Sequence, residues 1–67
     1  MFDRQKLKEF LSKKNKSVSA VARELGVTDN AIRNILYGIR QPSLLMTAQF
    51  AEMMDCSIDD LVIKEAL

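Results

Sequence analysis

Apolar residues recur along this chain at intervals of three and four, the spacing that lines one face of an α-helix. Leu7, Phe10 and Leu11 form the first such set. Asp3 precedes it as a plausible N-cap, and Lys13, Lys14 and Lys16 crowd its end, where cations complement the helix dipole. Asn15 is suited to the left-handed conformation that terminates a helix. After Ser17, the set Val18, Val21, Ala22 and Leu25 predicts a second helix. Gly26 ends it, because glycine takes a positive φ without strain. A third helix is predicted from Thr28, its cap, to about Tyr37, with Gly38 closing it. At about 100° per residue, Asp29, Asn30, Arg33, Asn34 and Tyr37 fall on one polar stripe. Ala31, Ile32, Ile35 and Leu36 fill the opposite side.

Ile39 to Pro42 form the one loop, and Ser43 caps a fourth helix over about Leu44–Met54. Leu44, Ala48, Ala51 and Met54 make one stripe of that helix. Leu45, Met46, Phe50 and Met53 carry apolar surface round most of its circumference. A helix apolar nearly all round is buried on more than one side. Ser57-Ile58-Asp59-Asp60 has the form of a capping box, and Leu61, Val62 and Leu67 continue a fifth helix beyond it. The pattern predicts an all-α fold: a compact five-helix bundle in one domain over residues 1–67, with helices four and five spanning 44–65.

Composition narrows the function classes. A chain of 67 residues has room for one small core. One cysteine forms no intrachain disulfide, and without histidine there is no Cys/His metal cluster. No nucleophile–base pair stands out, so no enzyme and no cofactor are expected. Cys56 reads as a buried structural thiol, since no basic neighbour in sequence would lower its pKa. Apolar runs fall far short of the roughly 20 residues that span a bilayer, and a cytoplasmic, soluble chain with no membrane partner is expected. The net charge of +1 conceals a split. Residues 1–41 hold nine Lys/Arg against four Asp/Glu, and residues 42–67 hold one against five. Such asymmetry suggests a nucleic-acid face on one side only.

Helices two and three, joined through Gly26-Val27-Thr28, have the spacing of a helix-turn-helix over residues 17–37, whose second helix enters the DNA major groove. Val21-Ala22-Arg23-Glu24-Leu25-Gly26-Val27-Thr28, followed by Ile32, Ile35, Gly38, Arg40, Pro42 and Ser43, resembles the phage-repressor/Cro-type family of XRE-like regulators. Ser57 to Leu61 resembles that family's final helix opening, and the resemblance covers about residues 4–62. It implies a lambda-repressor-like DNA-binding domain and a transcriptional repressor of bacterial or phage origin. Four positions depart from the pattern: Val18 replaces a common Gln, Lys16 an apolar residue, Thr47 a Leu and Asp55 a Gly. Together they suggest modest stability.

By resemblance the base-reading residues are Asp29, Asn30, Arg33 and Asn34. Asn30 and Asn34 suit adenine N6/N7, and Arg33 suits guanine O6/N7. Asp29 either accepts from cytosine N4 or orients Arg33 four residues on, the second being preferred. Ala31 meets a thymine methyl or, by preference, packs. Ser17, Thr28, Tyr37, Arg40 and the lysines at 13, 14 and 16 are the candidate backbone contacts. Met46, Phe50, Met53, Val62 and Ile63 are candidates for a homodimer face, the alternative being that they complete a monomer core. Dimers of this family set two recognition helices about 34 Å apart on operator half-sites. The competing function is a protein-binding helical module, antitoxin-like or a phage-encoded inhibitor, using the Met/Phe face of helix four. No small-molecule ligand is evident.

Overall fold

Each α-helix begins at a side-chain oxygen and ends at a residue in left-handed backbone, so orphan backbone groups at both ends gain partners. The computed structural model describes residues 1–63. Asp3 accepts from the Lys6 N–H at 3.3 Å and opens α1 (Arg4–Lys13). Ser17 accepts from Ala20 at 3.0 Å and opens α2 (Val18–Leu25). Thr28 accepts from Ala31 at 3.2 Å and opens α3 (Asp29–Leu36). Ser43 accepts from Met46 at 3.1 Å and opens α4 (Leu44–Met54).

The four exits share one pattern. Asn15, Gly26, Gly38 and Asp55 have φ of 52°, 72°, 76° and 53°. In each case the next residue's N–H reaches back to a carbonyl five positions earlier: Lys16 to Leu11, Val27 to Ala22, Ile39 to Asn34 and Cys56 to Ala51, at 2.9–3.0 Å. These are Schellman closures. The second, at Gly26, makes the turn between α2 and α3.

The predicted fifth helix contracts to a single 3₁₀ turn, Asp59–Leu61, leaving four α-helices among the described residues. Its capping box does form: Asp60 N–H donates to Ser57 Oγ at 3.3 Å, and Ser57 N–H to Asp60 Oδ2 at 3.2 Å. The helix stops because Val62 turns extended, at φ −114° and ψ 124°, to pair antiparallel with Phe2. Asp3 N–H donates to the Leu61 carbonyl and Ile63 N–H to that of Met1, each at 2.7 Å. The expected contribution of Leu67, like the helix-five residues beyond 63, lies outside the described residues.

This pairing carries Phe2 into the core, where its ring lies 5.3 Å from that of Phe50. Phe50, Leu7, Ile32, Leu61 and Val21 are the largest fully buried side chains, so every α-helix and the 3₁₀ turn contribute to one cluster. Ala22, 1% exposed, is small where α2 packs on α3. In α4 the inward stripe is Thr47, Phe50 and Ala51. Leu44, grouped by spacing with Ala48, Ala51 and Met54, is 76% exposed.

The departures from the family pattern are absorbed locally. Buried Thr47 turns its hydroxyl onto the Ser43 carbonyl at 2.8 Å, and Lys16 pairs with Glu24 at 2.7 Å. Val18 packs half-buried against the core.

Candidate nucleic-acid interface

The polar stripe of α3 emerges on the surface because its opposite side is anchored. Ile32 is fully buried and Ile35 nearly so, which fixes the rotation of the helix about its axis. Asn30 and Arg33 are then exposed, and Asp29 and Asn34 are half-buried at the edges of the stripe. Tyr37, 66% exposed, stands at the C-terminal end. The four candidate base-reading residues thus share one helix face, and the two best able to donate outward, Asn30 and Arg33, are its most open members.

Asp29 is held from two sides. Its Oδ2 accepts from the Ser19 hydroxyl of α2 at 2.5 Å and lies 3.9 Å from Arg33 Nη2. The first contact is a short, charge-assisted hydrogen bond, and the second is an i,i+4 ion pair beyond hydrogen-bond range. The orienting role expected for Asp29 therefore has a geometric basis. Its tie to Ser19 was not expected; the residues are ten apart, and only the fold of the two helices joins them.

Ser17 and Thr28 are exposed, each at a helix start with its oxygen engaged by a backbone N–H. Their hydroxyl protons are still available to an acceptor such as a phosphate oxygen, beside the positive end of a helix dipole. Arg40 is exposed in the loop after α3, and its backbone N–H is tied to the Asn34 carbonyl at 3.2 Å. Lys13 and Lys14 are exposed at the end of α1, whereas Glu24 offsets much of the charge of Lys16. Arg4, not singled out by the sequence, donates to the Leu36 carbonyl at 3.2 Å and lies against Gly38. Gln41 Oε1 accepts from the Phe2 N–H at 2.9 Å, which ties the loop to the N-terminal segment.

The candidate dimer residues separate into two groups. Phe50 is fully buried against Phe2 and is core, a correction that removes it from any contact face. Met46 and Met53 are half-buried against the same core. Val62 and Ile63 are exposed, and the structure adds Leu44 and Leu45, both more than 70% exposed. Met1, Leu44 and Val62 border one shallow depression.

The two displaced pKa values lie away from α3. Burial, reinforced by the Asp60 charge, pushes the Cys56 thiol up. Hydrogen bonds from the Ser57 backbone and side chain hold the Asp60 carboxyl below the ordinary carboxylate range. Among the described residues no group of three or more Cys, Asp or Glu is placed to hold a metal ion, and no helix is long and apolar enough to cross a membrane.

A helix-turn-helix family model matches residues 7–61, which includes α2, the Gly26 turn, α3 and α4 in full. No curated protein and no solved structure matches the chain.

Proposed function

The chain belongs to the Cro-like, XRE-type helix-turn-helix family of DNA-binding transcriptional regulators, and on that premise we propose that it is a sequence-specific repressor of bacterial or phage origin. It occupies an operator through the major groove and excludes polymerase. The observation that carries this reading is the α3 face. Arg33 and Asn30 are exposed and Asn34 is beside them, on a helix locked in rotation by Ile32 and Ile35. Arg33 reads guanine, and Asn30 and Asn34 read adenine. Ser17, Thr28, Tyr37 and Arg40 anchor the sugar–phosphate backbone and set the register without specifying sequence.

In this reading two copies bind together, on half-sites one helical turn apart. Val62 and Ile63, with Leu44 beside the depression that Val62 borders, supply the apolar surface for that contact. The acidic surface of residues 52–60 keeps this end of the molecule away from phosphate.

A salt titration of binding to the chain's own promoter tests the DNA contact. Log affinity should fall linearly with log salt, with a slope of about 0.9 per phosphate neutralised. Combined replacement of Arg33, Asn34 and Arg40 by Ala should abolish specific binding. Unchanged affinity in that variant would sink the reading. Sedimentation with and without operator tests the pairing of copies, and Val62→Glu should leave a monomer that reads a single half-site. A reporter behind the promoter decides between repression and activation.

A further inference from the structure

We propose that Ser19 is a positioning residue for base recognition: acting through Asp29, it sets Arg33 for one guanine of the operator. This rests on α3 being the reading helix. Ser19 lies in the first turn of α2, exposed, on the side that faces the start of α3. Its hydroxyl donates to Asp29 Oδ2 at 2.5 Å, and that same oxygen is the one nearest Arg33 Nη2, at 3.9 Å. One carboxylate oxygen therefore receives both groups, and a contact between helices is passed on to a contact along α3.

The geometry matters because of what each contact consumes. The Ser19 bond is short, so it anchors Oδ2 of the carboxylate beside α2. The Arg33 contact is too long for a hydrogen bond, so it orients the guanidinium by charge while leaving its N–H fork unspent. A fork held in place and fully available is what bidentate pairing with guanine O6 and N7 requires. Without Ser19, the half-exposed carboxylate is free to rotate. It can then follow Arg33 into a closer pair that uses up the fork, or turn toward the groove and accept from cytosine N4. In either case Arg33 loses its fixed aim. Val18, the residue before, has no hydrogen-bonding side chain, and the polar tie from the first turn of α2 to the start of α3 runs from Ser19 to Asp29.

The test uses the full chain and a pool of random duplexes. The wild type selects its preferred sequence, and each base pair of that sequence is then replaced in turn. Arg33→Ala identifies the guanine that Arg33 reads, as the position whose replacement no longer matters in that variant. Ser19→Ala should lose roughly fivefold or more of the preference at that position, part of what a bidentate pair supplies. It should keep its preference elsewhere, its affinity for unrelated duplex and its thermal midpoint, and Ser19→Thr should restore the lost preference. Full retention of the guanine preference in Ser19→Ala would overturn the proposal. An equal loss on every duplex would also overturn it, because Ser19 would then be a phosphate contact. If the wild type selects no sequence at all, the reading role of α3 fails, and the proposal fails with it.

Discussion

Asn15, Gly26, Gly38 and Asp55 turn the chain at the ends of four helices, yet they do so at different strain. A side chain at Gly26 would meet nothing within 4 Å, whereas one at Gly38 would lie 2.8 Å from the Arg4 guanidinium. Gly26→Ala should therefore cost about 1 kcal/mol, the left-handed backbone penalty alone. Gly38→Ala should cost more, because Arg4 must also leave the Leu36 carbonyl; urea midpoints of the two variants check the order. Asp55 bears that left-handed penalty already, softened because Asp tolerates this backbone. Asp55→Gly should raise stability by roughly 0.5 kcal/mol. Three of these exits are visible in the amino acids themselves, since Asn and Gly mark such backbone. Asp55 is visible only as a departure from a family pattern, and its torsion explains why a glycine is usual there. The exposure of Leu44 was not legible, because a helix apolar nearly all round offers several stripes of equal quality. Only the tertiary fold selects the one centred on Thr47, Phe50 and Ala51.

The helices themselves are legible because local and global preferences agree: each has a capping residue, an apolar stripe and a terminator in order. The fifth element breaks that agreement. Its capping box starts a helix, but Val62 and Ile63 are β-branched, and an extended partner waits at Phe2. The box still has a measurable consequence. The Asp60 carboxyl titrates below its ordinary range in the folded chain, held there first by the Ser57 N–H and then by its hydroxyl. A depressed carboxyl contributes stability above its unfolded pKa and loses it as pH falls through the folded one. Stability should decline as pH falls through and below the ordinary carboxylate range, about 4, and Asp60→Asn should flatten that decline. Urea midpoints across the range measure it. For α3 the polar stripe was legible from the 3.6-residue period, since burial of Ile32 and Ile35 leaves it one orientation. The Ser19–Asp29 bond was not, because periodicity describes one helix at a time and says nothing of what a neighbouring helix brings within reach.

At the scale of the whole molecule, the core is closed by a residue that no helix contains. Phe2 is 6% exposed, packs its ring at a tilt against Phe50 and lies between the loop at Gln41 and the extended pair at Val62. Phe2→Ala should cost about 3–5 kcal/mol. A domain of this size has on the order of 3–10 kcal/mol in all. The variant should therefore be partly unfolded at room temperature, with a shallow, early urea transition by circular dichroism. Operator binding should fall with the folded fraction, and excess operator should restore helix content. The charge split is only partly spatial: exposed Arg33 and Arg40 belong to the helix-turn-helix half and Glu52, Asp55 and Asp59 to the other, but Lys6 and Lys13 of α1 border the same depression as Asp60. The pairing of residues 1–3 with 61–63 also orders events during synthesis. It closes a loop of roughly sixty residues, which costs on the order of 3–4 kcal/mol in chain entropy. The nearby contacts among α1, α2 and α3 can form as the ribosome releases them, but Phe2 gains its partner only once residue 62 has emerged. Until then the nascent helix-turn-helix lacks one wall of its core, and completion of the DNA-binding unit must wait for the residues that pair with Phe2.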